Sequence, residues 1–501
     1  MKQNWRQKTA FILALLLLLT TVSCADGQDG ESKSETENKA STPGDTTESE
    51  SGENDEAALY APDLPEVNYD GYAFRIITRD DSMHPYPLHT RDIVAEEITG
   101  EGMNDAVYYR NLKIEEDYGF VIKMEAYSET VNEHTPDETV RKSVLSNSDE
   151  YDLLLGHMIY VGSMVTSNNV LLNWNLLPYV DFDKPYWNRN AYNAFSVGDK
   201  SYMALSDMCV SSNDNAHCMV FNKDLAEAYN VGSLYDLVYA NEWTYDKFIE
   251  VIADVSNDMD GNGIYDEKDR YGYLLGGDSS MINWMYAADC SVTRKDENNI
   301  PYLALYSERT VSAYEWLYNL MHTDDIYMTS SWVELDGVNM FSANQALIMS
   351  TQIAMFEHLR SMDSDFGVLP FPKFDAEQEN YAHYVDGHST VMAIPKTVSD
   401  FERTGIFLEA ISYEGFRQVL PVYYDVILTT KYMRDQDSKN MLEIVYNSRA
   451  FDFAYVYDGM SVSFCFKRAK ESSDFTSYYK MYEKVESKLI DRVIKSYEKN
   501  P

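Results

Sequence analysis

Cysteine is scarce in this 501-residue chain, five in all with no CxxC pair. That spacing suggests neither a zinc site nor a dense disulfide framework. Histidine is scarce too, nine residues scattered along the chain, which disfavours a metal-acquisition site. Basic residues number 41 against 82 acids, a net charge of −41. So acidic a surface argues against nucleic acid or anionic membrane as a partner. No GxSxG, HExxH or Walker loop occurs, which weakens the case for an enzyme. Long apolar runs are missing as well. Phe11 to Leu19 is unbroken but far shorter than the ~20 residues a membrane-spanning helix needs, and nothing later is long or apolar enough.

What is present begins with an export pattern. Lys2, Arg6 and Lys8 form a basic opening, the Phe11–Leu19 run follows, and Thr21-Val22-Ser23 leads to Cys24. The order resembles the lipobox of bacterial lipoproteins, with Thr21 where Leu is usual. The resemblance implies a signal over residues 1–23 and acylation of Cys24. From Asp26 to Glu56 the chain holds eleven acids and two lysines, net −9, with almost no apolar residue. Such a stretch buries too little to offset its ordering entropy, so residues 24–58 read as an anchored, extended tether. The expected place is the extracellular face of a bacterial cell membrane, for a protein lipid-anchored to it.

About 440 residues remain, enough for two or three domain-sized cores. A Cys209–Cys218 bridge and unpaired buried thiols both stay open, the second favoured. Phe74 to Thr78 reads as a β-branched strand, Asn104 to Tyr118 as a helix, Val121 to Met124 as a strand, Pro136 to Leu145 as a helix, and Tyr151 to Leu155 as a fully buried strand. This order predicts a mostly parallel α/β sheet covered by helices. Ligands of such sheets lie beyond the carboxyl ends of the strands, so residues after Thr78 and after Leu155 become cleft candidates. Further on, Thr244 is placed to cap a helix carrying Phe248, Val251 and Ile252. Phe366 to Pro370 reads as a strand crossing back, and the tail from Phe401 as largely helical.

Several stretches together resemble the extracellular solute-binding proteins of carbohydrate ABC importers (family 1 type). They are YDLLLG, LLPYVDFDKPYW, FSVGDKSYMALSD, AHCMVFNKDLAEAYNV, EWTYDKFIEVI, FSANQALIMST, FGVLPFPK and STVMAIPKTVSDFERTGIFLEAIS, in that order. The resemblance implies a two-lobed periplasmic-binding-protein-like (type II) α/β fold with hinge-crossing strands. Residues 59–215 and 365–412 would form lobe 1, and 216–364 and 413–501 lobe 2. It implies a monomer that captures a sugar or oligosaccharide between the lobes, without catalysis, and hands it to permease subunits.

One local motif carries its own chemistry. Asp258, Asp260, Asn262, Ile264 (through its carbonyl), Asp266 and Asp269 fall at positions 1, 3, 5, 7, 9 and 12 of a loop with Gly263 at position 6. Hard calcium ions take such clustered oxygens, and Asp269 at position 12 resembles the dockerin variant of the EF-hand loop. A structural calcium is the expectation.

Sugar sites combine aromatic platforms with planar polar groups. Trp187, Trp284 and Trp332 are the candidate platforms, whereas Trp243 and Trp316 sit in helical patterns and belong to cores. Strand-end logic adds Arg79, Asp80, Asp207, Tyr384, Asp386 and His388. A secreted glycan-active enzyme and a peptide-binding protein remain as alternatives. Carboxylate pairs do not separate them in a chain with 82 acids, and fold alone does not choose the ligand.

Overall fold

Buried strands and helices alternate into two sheets in the computed structural model, which describes residues 56–82, 89–130, 133–167, 169–329, 335–428, 435–458 and 466–500. The export segment, Cys24, most of the tether and Trp332 lie outside the described residues. In chain order the strands of the two main sheets are β1 (Tyr72–Arg79), β2 (Phe120–Tyr127), β3 (Leu153–His157), β4 (His217–Asn222), β5 (Tyr271–Leu275), β6 (Ile326–Met328), β7 (Ala346–Gln352), β8 (Phe366–Leu369) and β9 (Thr390–Ala393).

The first sheet has the order β9-β3-β1-β2. β1 runs parallel to β2 from Tyr72↔Phe120 to Arg79↔Tyr127, and parallel to β3 from Ile76↔Leu153 to Thr78↔Leu155. β9 closes the edge antiparallel to β3. Every residue of β3 is buried, which is why its sequence is a continuous apolar run rather than an alternation. Helix α1 (Gly102–Tyr118) makes the crossover from β1 to β2. Its Glu101 side chain accepts from the Met103 and Asn104 amides, and Gly119 ends it at φ 67°, a left-handed turn that suits glycine.

The second sheet has the order β6-β5-β7-β4-β8. β5, β6 and β7 are parallel, and β4 lies antiparallel between β7 and β8. The predicted Thr244 cap is present, its hydroxyl accepting from the Lys247 amide. Phe366–Leu369, expected to cross back to the first lobe, is instead the edge strand of this sheet, paired with Met219–Asn222. The lobe 1 boundary expected at 365 therefore moves toward the crossing at Tyr384. There an antiparallel bridge joins Ala216 to Val385, and the Asp386 amide donates to the Asn215 carbonyl at 3.0 Å.

The tail, expected in lobe 2 from 413 onward, is shared between the lobes. Val419, Leu420 and Tyr423 pack with Met103 and Val107 of α1. Met441, Leu442 and Val445 join the core of the second sheet. The last helix, Phe475–Lys499, puts Phe475 into that second core and Ile490, Val493 and Tyr497 into the first. Helical periodicity gives each of these an apolar face but does not say which sheet receives it. Asp55–Pro501 forms one compact unit. Cys209 and Cys218 are free and buried, so the bridge between them is not made. No helix among the described residues is long and apolar enough to cross a membrane.

Candidate ligand-binding site

The carboxyl ends of the parallel strands in both sheets gather residues of the kind that bind a polar solute. At the end of β1, Arg79 is buried and Nη2 donates to the His388 carbonyl (2.7 Å), to Thr390 Oγ1 (3.1 Å) and to His89 Nδ1 (3.1 Å). Asp80 next to it accepts from the Ser82 amide and hydroxyl and so shapes the turn after the strand. His157 ends β3, stacked on Tyr160 at 4.1 Å and edge-on to His388 at 4.9 Å between ring centres.

The crossing itself carries Tyr384, Asp386 and His388. Asp386 Oδ1 meets His388 Nδ1 at 2.6 Å and accepts from the His388 amide at 3.0 Å. Burial alone would raise the Asp386 carboxyl, but the His388 ring and amide, with His217 behind, outweigh it and hold the group at about 2. Tyr384 is buried, its amide donating to Asn283 Oδ1 at 3.3 Å and its ring lying 5.5 Å from that of His217. Arg449 braces the crossing from the tail, donating to Ser212 Oγ at 3.0 Å and to Asn213 Oδ1.

In the second lobe a pocket opens where β5, β6 and β7 end. Gly276, Ser280, Thr329, Ser350, Gln352 and His217 supply its polar lining, and Leu335, Val338, Met349 and Met355 its apolar wall. Its free space is ≈ 30 Å³, room for one or two waters or one hydroxymethyl group. The Ser350 hydroxyl accepts from the Gly276 amide at 3.1 Å and lies 2.9 Å from the Ser280 hydroxyl. Gln352 Nε2 lies 3.2 Å from His217 Nε2. Burial pushes His217 down to about 4, with Asp386 opposing only weakly, so the ring is neutral at pH 7.

Two of the expected aromatic platforms are core residues. Trp187 is 3% exposed and donates Nε1–H to Glu409 Oε2 at 2.9 Å. Trp284 is fully buried, donates to the Tyr273 hydroxyl at 3.1 Å and packs against Tyr245, Phe248 and Trp316. Neither presents a face to a solute. Trp243 is buried as expected but stands just before the helix Tyr245–Ile252, not within it, and Trp316, on the helix Glu308–Leu320, is partly buried against the same core. Asp207 does not line the pocket. It is buried beneath Tyr446, which donates to its Oδ1 at 2.9 Å. The sequence reading missed His217, Gln352, Ser280, Ser350 and His157 by name. The strand-end rule reaches Gln352 and His157, the last residues of β7 and β3, and His157 falls in the stretch after Leu155 that the rule had flagged, but it does not reach His217, which opens β4, or Ser350, which lies within β7.

The acidic loop folds around its first carboxylate. Asp258 accepts from the Gly261 and Gly263 amides at 2.7 Å each, and both glycines take positive φ, 71° and 78°. Asp269 is buried and accepts from the amides of Met259 and Asp266. Carboxylate oxygens of Asp258, Asp260 and Asp269 all lie within 4.8 Å of one another. Asn262 and Asp266 use a side-chain oxygen within the loop, toward the Ile264 and Lys268 amides.

Comparison with known proteins gives structural likeness without sequence likeness. No protein-family model matches the chain, and no curated protein does. Among solved structures, UspC of M. tuberculosis is similar at TM-score 0.55 and 13% identity, over 83% of this chain and 100% of that one. The GacH receptor of Streptomyces glaucescens GLA.O, solved unliganded and with acarbose, is similar at 0.51 and 11%, over 86% and 98%. An ABC transporter solute-binding protein of Thermotoga Lettingae TMO, bound to α-D-tagatose, is similar at 0.51 and 11%, over 84% and 100%. Likeness over nearly the whole of each of those chains establishes the fold as two-lobed and periplasmic-binding-protein-like.

Proposed function

We propose that the chain is the solute-binding component of an ABC importer, capturing a small sugar or oligosaccharide between its two lobes without transforming it. The observation that carries this reading is the convergence of strand ends from both sheets on one crossing. Asp386 and His388 pair with each other at the crossing, where the Tyr384 ring lies 5.5 Å from that of His217, and His217, Gln352 and Ser350 line the pocket in the second lobe. Such folds close by hinge motion over a ligand held at this place. The acarbose and tagatose complexes of the similar proteins support a carbohydrate as the solute.

The test is thermal unfolding of the soluble chain lacking residues 1–24 against mono- and oligosaccharides. A solute bound only by the native state, present at a hundred times its dissociation constant, adds about 2.7 kcal/mol. A rise in Tm with one sugar class and no released product is the expected result. A rise only with peptides sinks the carbohydrate reading, and hydrolysis of a glycan sinks the non-enzymatic one. The same reading anchors the protein through Cys24, so Cys24→Ser should release the chain from the membrane fraction into the medium.

We propose also that the 258–269 loop holds a structural calcium through Asp258, Asp260, Asn262, the Ile264 carbonyl, Asp266 and Asp269. The ion would neutralise three clustered carboxylates and pin the turn between the helix Tyr245–Ile252 and β5. Calcium should raise the Tm of the sugar-free protein and chelator should reverse the rise. Asp258→Asn should abolish the response, and an equal response in that variant would rule the loop out.

A further inference from the structure

The hairpin of strands Thr293–Lys295 and Pro301–Leu303 is rooted in one lobe and seated on the other. On either side of it, Cys290, Val292 and Leu305 belong to the core of the second sheet. Ile300 is instead partly buried against the core of the first sheet, and Leu303 against both. The root is held by Asp452, a buried carboxylate that accepts from the Val292 amide at 2.7 Å, the Thr293 amide at 3.2 Å and the Thr293 hydroxyl at 2.9 Å.

The tip meets residues 193–200 of the first lobe through polar groups. Asn299 turns at φ 61°, and its carbonyl accepts from the Gly198 amide at 3.1 Å. Its side-chain amide donates to the Gly198 carbonyl at 2.7 Å and to the Ser196 hydroxyl at 3.0 Å. Lys295 Nζ donates to the Ser196 carbonyl at 2.5 Å, to the Ser196 hydroxyl at 3.3 Å and to the Asn193 carbonyl. No carboxylate pairs with this ammonium among the described residues, and burial lowers it from 10.5 to about 8. A partly buried cation held by neutral oxygens adds little stability, because its desolvation offsets much of what the hydrogen bonds contribute. Such a seat is specific in geometry and costs little to part.

Lobes that swing about the crossing of Ala216 and Val385 must accommodate every other junction between them. The last helix is one such junction, made by apolar side chains in both cores. The hairpin tip is another, and it is made by polar groups that water can replace. We propose that this hairpin is a strap: seated on residues 193–200, it holds the ligand-free chain at one angle between its lobes, and the Lys295 and Asn299 side chains leave that seat when the angle changes. The proposal rests on the two-lobed fold and not on the identity of the solute.

The experiment is double electron–electron resonance on the chain lacking residues 1–24, without solute. Spin labels go on Leu145→Cys in the first lobe and Glu227→Cys in the second, both exposed positions. Cys465 is changed to serine, and Cys209, Cys218 and Cys290 are buried. Lys295→Met with Asn299→Gly removes the five side-chain hydrogen bonds of the seat but keeps the apolar stem and the left-handed turn. The distance distribution of this variant should be about twice as wide as the parent's, or split in two. Tyr302→Ser, on the exposed face of the same hairpin, should leave it unchanged. The Tm of each variant checks its fold, and the two single variants carry the same comparison if the double one does not fold. A distribution superposable on the parent's in a folded variant, or an equal broadening by Tyr302→Ser, overturns the proposal. Sugar capture stands under either result, because no solute is present.

Discussion

Replacing Glu409 by alanine should lower the unfolding free energy by about 3–5 kcal/mol, among the largest effects of any single substitution in the first lobe. Glu409 is fully buried on the helix Phe401–Glu414. It accepts from the Tyr186 hydroxyl at 2.5 Å, the Trp187 indole at 2.9 Å and the Asp181 amide at 3.2 Å. Burial raises its carboxyl above the ordinary range, and those three donors offset only part of the rise. Alanine would strand the buried Tyr186 and Trp187 donors together with the partly buried Asp181 amide, and leave a cavity beside them. Glutamine keeps the shape and one acceptor oxygen, so Glu409→Gln should cost about 1–2 kcal/mol. Urea unfolding of the three proteins gives both numbers. A loss under about 1 kcal/mol for the alanine variant would mean that the three donors find other partners. Sugar affinity, measured where each variant is folded, should stay unchanged, because Trp187 is a core residue. A lost affinity would restore it to the cleft.

The same residues show what a sequence can and cannot reveal. An indole reads alike whether its N–H meets a sugar hydroxyl or a carboxylate 222 positions away, as it does here. Trp187 and Trp284 were therefore open to the wrong role, since the partners that settle it are assembled only by the fold. Strand β3 was legible because five consecutive buried residues leave a continuous apolar run. Thr244 was legible because a cap is a local interaction, made to an amide three residues on. The acidic loop was legible for the same reason. Phe366–Leu369 was misplaced because an apolar strand carries no mark of which sheet it joins. The true crossing, Asn215 to His217 against Tyr384 to Asp386, is short and mixed in polarity, so it has no hydrophobic signature. His217 and Gln352 sit at the ends of two paired strands, and their significance lies in a register that only the folded sheet defines.

Asp207→Asn should change the pH dependence of stability more than any other conservative substitution at the sites considered. Asp207 Oδ1 accepts from the Tyr446 hydroxyl, while Oδ2 is buried with no hydrogen-bond partner among the described residues. Burial raises this carboxyl from 3.8 to about 7, opposed by the Arg449 charge and the Tyr446 hydroxyl. A raised folded-state value means that the native protein holds the proton more tightly than the unfolded chain. The stabilisation is complete below pH 4 and is lost as pH rises through about 7, an amount on the order of 4 kcal/mol. His217 acts with the opposite sign. Lowered from 6.5 to about 4, it withdraws stability as pH falls between those values. The two slopes oppose each other in the unaltered protein, so its pH profile alone isolates neither. The difference between variant and parent does. Asparagine keeps an acceptor for Tyr446 and carries no charge at any pH. The variant should match the parent within about 1 kcal/mol near pH 4 and gain on it by roughly 1.4 kcal/mol per pH unit until about pH 7. Above that the difference should be constant. Urea unfolding at pH 4.5, 5.5, 6.5 and 7.5 measures the curve. Parallel profiles would mean that Asp207 ionises at its ordinary value, with water or Arg449 reaching the oxygen that the packing leaves alone.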